Sequence, residues 1–296
     1  MTCQDTEGKN PAIVLISGTG KADRDGNFKG FHTDFYKNLA GTFAEWGFTV
    51  IRYDKRGLYE TEGDFDTAGL SDLVDDAAAV VLYARSLPSV NGEKIVVCGH
   101  SEGALIATIL SEREKVDGLM LLGGAAMCIK DALYYQNRLL AEEAEHKEGL
   151  KGAILRRSAT FKKSKTKVDG LFEKCSNTDK GRVFFGGATM NAKWVREHGS
   201  YASKDYVEML RRYEGPVLAI TGTKDLSADF TFLDAIKGIP SVECYAPEGV
   251  NHILREVDDD NSILEVRKQY VRLSSKPIHA GTEERMRDWL TKNFLN

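Results

Sequence analysis

The chain has 296 residues, with 40 Lys+Arg against 44 Asp+Glu and 42% hydrophobic content. That length buries a proper core in one large domain or two modest ones. A net charge of −4 excludes overall electrostatic attraction to nucleic acid, and no apolar run approaches the roughly 18–20 residues that span a bilayer.

From the N-terminus to about residue 124, short apolar runs alternate with helical patterns. Residues 12–17 (AIVLIS) are continuously apolar and rich in β-branched side chains, which predicts a strand buried on both faces. Residues 33–46 carry Phe35, Leu39 and Phe43 at helical spacing. Residues 48–53 (FTVIRY) form the next expected strand. A helix is expected over 71–87, with Ser71 as its cap and Asp72, Asp75 and Asp76 near the positive end of its dipole. Leu73, Ala77, Val80, Ala84 and Leu87 make its apolar stripe, and Pro88 closes it. Then come a strand over 94–99, a helix over 102–112 and a strand over 116–122. Strands alternating with helices predict a mostly parallel sheet of about six strands, covered on both faces.

Between residues 125 and 212 the alternation stops. Helices are expected over 130–147 and 150–161, with a short strand-like run at 183–185. This stretch holds 18 Lys+Arg and 11 Asp+Glu, so its composition differs from the rest of the chain. Its Lys162–Lys167 run reads as a solvated surface segment, the alternative being a basic rim that attracts an acidic substrate. From Pro216 the first pattern returns, with strands over 216–221 and 241–246 and a terminal helix over 282–295. An α/β core of residues 1–124 and 213–296 is therefore expected, interrupted by a helical cap over 125–212.

Chemistry concentrates at Gly99-His100-Ser101-Glu102-Gly103, which fits G-x-S-x-G where a buried strand opens into a helix. Such a turn lifts a serine hydroxyl clear of the sheet beside backbone N–H groups at a helix N-terminus. Ser101 is the expected nucleophile. A serine needs a base to take its proton. His252 is in a loop following a predicted strand late in the chain, where α/β sites form, and His279 is its reserve. The base needs an acid to orient it. Asp225 just follows a strand end and gives the order Ser, Asp, His, with Asp229 and Asp234 as rivals. The oxyanion needs two N–H donors, assigned to the backbones of Glu102 and of Thr19 in Ser17-Gly18-Thr19-Gly20. The sequence has no Walker Lys-Ser/Thr and no G-x-G-x-x-G, so no nucleotide cofactor is expected. Five widely spaced cysteines (Cys3, Cys98, Cys128, Cys175, Cys244) contain no C-x-x-C pair, so neither a metal site nor a disulfide framework is suggested. With no signal-peptide pattern in residues 1–10, a cytoplasmic setting is expected.

These residues resemble the α/β-hydrolase superfamily, and within it the bacterial carboxylesterase branch related to acyl-peptidase-like serine hydrolases. The loop from Gly18 to Asn27 resembles that branch's G-x-G-x-x-D-R-D-G-N loop, residues 52–57 match its RYDKRG segment, and residues 99–103 match its GHSEG turn. The resemblance covers about 1–124 and 213–296. It implies hydrolysis of a small-molecule ester through an acyl-serine intermediate, without metal or organic cofactor. Thioester or small amide hydrolysis uses the same triad, and a non-catalytic binding protein on this fold is the alternative of another class. Ser17-Gly18 replaces the family's usual His-Gly, and Gly57-Leu58-Tyr59-Glu60-Thr61 lacks its second glycine. The resemblance does not extend to the insert, which is expected to shape the substrate pocket. An Asp54–Arg56 ion pair is expected near the oxyanion loop, with Asp23, Arg24 and Asp25 ordering that loop. Insert aromatics (Tyr134, Tyr135, Phe161, Phe172, Trp194) are expected to divide between the insert's own core and the acyl pocket. Oligomeric state is open, a homodimer being one option.

Overall fold

The computed structural model describes residues 1–3, 8–158, 160–258 and 261–295. Residues 4–7 of the opening segment and residue 159 of the helix expected over 150–161 lie outside the described residues. Up to the insert the chain runs β1 (Asn10–Ile16), α1 (Phe35–Glu45), β2 (Thr49–Arg52), α2 (Leu70–Ser86), β3 (Val90–His100), α3 (Glu102–Leu110) and β4 (Gly118–Leu122). Next come α4 (Ile129–His146), α5 (Gly149–Ser158), α6 (Phe161–Ser176), β5 (Arg182–Phe185), β6 (Ala188–Asn191), α7 (Ala192–Gly199) and α8 (Ser203–Arg212). It closes with β7 (Val217–Ile220), β8 (Val242–Tyr245), α9 (Val266–Leu273) and α10 (Ala280–Leu290).

Six strands form one sheet in the order β2-β1-β3-β4-β7-β8, every pair parallel. The period of two along each strand divides the core. Ile13, Leu15, Val96, Cys98, Met120 and Leu122 face α1 and α10, packing on Leu39, Phe43, Met286 and Trp289. Ala12, Val14, Ile16, Val97, Leu119 and Leu121 face α2 and α3, packing on Leu73, Ala77, Leu105 and Ile109. Both strand faces are thus dry, which is why the strand sequences are continuously apolar rather than alternating. Side chains of α6, α7 and α8, among them Phe172, Val195, Tyr206 and Leu210, join this second core.

Several expectations needed adjustment. Ser71 is not the cap of α2. Gly69 occupies that position, its N–H donates to Asp72 Oδ2 at 2.7 Å, and Ser71 instead donates from N–H and hydroxyl to Glu197 of α7. The helix expected over 150–161 is split between α5 and α6. The run at 183–185 is one arm of an antiparallel hairpin whose other arm, β6, carries the weakly strand-like Ala-Thr-Met-Asn. The terminal helix ends at Leu290 and continues as a π turn over Thr291–Leu295, which buries Phe294 against Trp289. Among the described residues, no helix is long and apolar enough to cross a membrane.

Strand order reverses between β1 and β3, because β2 lies on one side of β1 and β3 on the other. The loops leaving the carboxyl ends of β1 and β3 diverge there and leave a crevice, the usual ligand position in such sheets.

Candidate active site

Ser101 stands at that crevice, between β3 and α3, with φ 57° and ψ −124°. A non-glycine residue in this conformation stores roughly 1–3 kcal/mol and persists only when its surroundings enforce it. Two things enforce it here. Ser101 N–H donates to Leu122 O at 2.8 Å, tying the turn to β4. Gly103 lies so close to β1 that a Cβ added there would stand 2.2 Å from Ile16 O, and one added at Gly99 would stand 2.1 Å from Gly103 O. The turn is therefore wedged between β1 and the first turn of α3.

Asp225 follows β7 and His252 follows β8, and the structure brings them together: His252 Nδ1 is 2.7 Å from Asp225 Oδ2. The other Asp225 oxygen accepts the N–H groups of Ser227 (2.7 Å) and Ala228 (2.9 Å). Asp225 and His252 are 2% and 7% exposed, so their pairing is shielded from water. Ser101 and His252 line the same cavity of about 700 Å³. His279 lies elsewhere: it caps α10 by accepting the Thr282 N–H. Asp229 caps the short 3₁₀ turn Phe230–Ala235, and Asp234 is an exposed residue of that turn.

Thr19 and Glu102 both line the cavity beside Ser101. Neither backbone N–H has an acceptor among the described residues. The neighbouring Gly18 N–H is already engaged, donating to Tyr36 Oη at 2.8 Å. A Cβ added at Gly18 would stand 2.9 Å from the Ser101 Cβ, so the β1 loop abuts the serine directly.

Tyr36 and His100, to which the sequence assigned no role, join this loop to the histidine loop. His100 Nε2 is 2.9 Å from His252 O, and Nδ1 is 2.9 Å from Tyr36 Oη. Burial, then the nearby His252, holds His100 well below the ordinary imidazole range, so it is neutral. A carbonyl only accepts, so the proton is on Nε2 and Nδ1 accepts from Tyr36. Burial raises the Tyr36 hydroxyl and keeps it a donor. The chain Gly18 N–H, Tyr36 O–H, His100 N–H, His252 C=O thus has one direction throughout. Tyr36→Phe is expected to orphan Gly18 N–H and His100 Nδ1 and cost about 1–3 kcal/mol. Urea unfolding checks it, and an unchanged midpoint would mean the relay contributes nothing to stability.

The Glu102 side chain was not singled out from sequence either. It is 1% exposed, yet carries a charge. Oε2 is 3.2 Å from Lys55 Nζ, and Oε1 accepts from Trp194 Nε1 at 2.5 Å and His198 Nε2 at 2.9 Å. Burial alone would push this carboxyl up. The Lys55 charge and the bonds from His198 and Trp194 overcome it and hold the carboxyl down at about 2, against the usual 4.5. A depressed carboxylate stabilises the fold above its unfolded value and loses that contribution as pH falls toward the folded one. Removing the whole ion pair as Lys55→Met with Glu102→Gln removes this dependence. Between pH 6 and pH 3 the natural chain is expected to lose about 2 kcal/mol relative to that double variant. Urea unfolding at both pH values measures it, and a constant difference would contradict the depressed carboxyl.

Asp54 and Arg56 do not pair with each other. Asp54 accepts from Arg24 N–H (2.6 Å) and Nε (2.8 Å), and Arg56 reaches Asp72 and Asp76 of α2. The expectation that Asp23, Arg24 and Asp25 order the loop agrees with the geometry. Asp23 accepts the N–H groups of Asp25 and Asn27, and Asp25 pairs with Arg52. Of the five insert aromatics, only Trp194 lines the cavity. Tyr134 and Phe172 pack in or against the insert side of the core, Phe161 is exposed, and Tyr135 donates to Asp225 O at 2.8 Å. Among the described residues, no group of three His, Cys, Asp or Glu could hold a metal ion.

Residues 29–229 match the family model described as "Serine aminopeptidase, S33". Esterase EstD of Thermotoga maritima is 27% identical over 150 residues, which is 49% of this chain, and the match spans only 35% of that relative's length. Among solved structures, Est1E of Butyrivibrio proteoclasticus with ferulic acid bound aligns with a TM-score of 0.55 at 20% identity, covering 89% of this chain and 88% of that one. The α/β-hydrolase GrgF of Penicillium sp. sh18 aligns with a TM-score of 0.61 at 14% identity, covering 98% and 92%. The sheet order and these likenesses together establish the α/β-hydrolase fold.

Proposed function

Because the chain belongs to the serine aminopeptidase S33 family of serine hydrolases, we propose that it cleaves a carboxylic ester through an acyl-serine intermediate. The observation that carries this reading is the buried Asp225–His252 pair, at 2.7 Å, opening on the same cavity as the strained Ser101. His252 Nδ1 is committed to Asp225, so Nε2 is the face left to take the Ser101 proton. Ser101 Oγ adds to the ester carbon, and the new oxyanion is received by the N–H groups of Thr19 and Glu102. Such donors are worth roughly 3–4 kcal/mol each. The His252 imidazolium then gives its proton to the departing alkoxide as the tetrahedral adduct collapses to acyl-serine. Water repeats the sequence: His252 takes its proton, hydroxide adds to the acyl carbon, and Ser101 leaves reprotonated with the free acid.

Two features favour an ester over the amino-terminal peptide bond named in the family description. An aminopeptidase needs a free carboxylate to hold the substrate's ammonium group. Glu102 is the sole carboxylate lining the cavity among the described residues, and it is already engaged by Lys55, His198 and Trp194. The wall is instead largely apolar: Phe28, Phe35, Met127, Ile129 and Leu133 suit an apolar or aromatic acyl group. Esterase is also the activity in the printed names of EstD and of one structural neighbour, Pf2001 of Pyrococcus furiosus. We assign residues 125–212 as the cap and 1–124 with 213–296 as the catalytic core. Supporting this, α4 supplies Ile129, Ala132, Leu133 and Gln136 to the cavity wall, and α7 supplies Trp194.

A panel of p-nitrophenyl esters, acyl thioesters and aminoacyl-naphthylamides tests the reading. Turnover of the esters with the highest kcat/KM is expected. Preference for the naphthylamides would overturn it in favour of peptidase activity.

A further inference from the structure

We propose that Lys55 and the Glu102 carboxylate form a positioning brace that sets the oxyanion hole and registers it against the cap helix α7. The inference rests on the ester-hydrolase reading above. Glu102 is placed there to donate its backbone N–H to the oxyanion, while its side chain turns away to bind Lys55, Trp194 and His198. Lys55 Nζ also donates to Gly18 O, the carbonyl of the peptide whose N–H belongs to Thr19. One ammonium therefore touches both halves of the oxyanion hole: the peptide that carries the Thr19 donor, and the residue that carries the Glu102 donor. Lys55 is 3% exposed, so no water competes for these bonds.

The second half of the brace belongs to the insert. Trp194 and His198 both project from α7 onto Glu102 Oε1, and their rings pack at 4.5 Å. Helix α7 is itself fixed to α2. Asn191 donates to Ala68 O, Lys193 pairs with Asp72, and Glu197 accepts from Ser71. The cap helix that walls the substrate cavity and the donors that receive the oxyanion are thus held by one carboxylate. A purely structural ion pair between the loop after β2 and the start of α3 has no reason to take both of its remaining bonds from the cap. The Glu102 charge is paired, so it binds no substrate cation and acts through the backbone donors it positions.

The double variant Lys55→Met with Glu102→Gln removes both charges together and leaves no lone buried ion, the change a folded core tolerates best. Its kcat on p-nitrophenyl butyrate is expected to fall roughly 10- to 100-fold with KM within about threefold, because misplaced donors weaken the transition state rather than ground-state binding. Its rate of phosphonylation at Ser101 by a fluorophosphonate, which puts an oxygen in the same hole, is expected to fall in parallel. Trp194→Phe keeps the cavity wall and removes one bond to Glu102, and is expected to lower both rates about three- to tenfold. A folded double variant with natural kcat and labelling rate would overturn the brace. If the double variant does not fold, natural rates in Trp194→Phe would overturn it. A natural chain that neither labels nor turns over esters would instead overturn the ester-hydrolase reading and the brace with it.

Discussion

Ser101→Ala is expected to lower ester turnover by about 10⁵–10⁶-fold while leaving the thermal transition within a few degrees. The size follows from the nucleophile's place in a unit: without the Ser101 hydroxyl, the His252–Asp225 pair has no proton to take, and losing one essential member costs nearly as much as losing all. What remains is the modest acceleration from the oxyanion donors and binding alone. Alanine keeps the Cβ that the left-handed turn already accommodates, so the backbone at φ 57° is no more strained than with serine. Full turnover by the purified variant would show that the chemistry lies elsewhere.

The largest expected effect on stability comes from a residue that touches no substrate. Gly103→Ala puts a Cβ 2.2 Å from Ile16 O, 2.8 Å from Ile16 C and 3.0 Å from Ser17 O. These are backbone atoms at the end of a strand buried on both faces, and they cannot move aside as a flexible side chain can. Overpacking against backbone costs at least about 3 kcal/mol, which lowers the melting temperature of a chain this long by roughly 5 °C or more. The clash also pushes α3 off β1, which separates Ser101 from the Gly18–Thr19 loop. Activity is therefore expected to fall further than the folded fraction does. A melting temperature within 2 °C of the natural chain would contradict the wedge described for this turn.

The sheet was legible because its inner strands carry apolar runs buried on both faces, while the edge strand β8, half-buried and holding Glu243, shows this least. Residues 12–17, 48–53, 94–99, 116–122, 216–221 and 241–246 each overlap one observed strand. Helix termini were less legible. Ser71 is a good capping residue by type, but Asp72 reaches back to Gly69, and Ser71 is claimed by Glu197, distant in sequence. The split of the helix over 150–161 and the β6 arm of the hairpin were missed because exposed sequence carries little periodicity. Of the residues brought together in the candidate site, those carried by a local pattern were legible: Ser101 by its turn, and Asp225 and His252 by their positions after strands. The residues that act through burial were not. Lys55 belongs to the matched RYDKRG segment, yet its neighbours Asp54 and Arg56 attracted the pairing expectation. Nothing in the sequence marked His198 and Trp194 as partners of Glu102, because they reach it through folding of the insert over more than ninety residues. Tyr36 occupies a helix face that also serves the core, so its polar tip was invisible to periodicity.

The central claim is that Ser101 is a nucleophile activated by His252. Treating the folded chain with a fluorophosphonate and mapping the modified peptide by mass spectrometry tests it most directly. The expected result is a single adduct on Ser101 that disappears in Ser101→Ala and forms at least a thousandfold more slowly in His252→Ala, given what removing a triad member costs. An adduct on another residue, or labelling of Ser101 at an undiminished rate in His252→Ala, would contradict the triad.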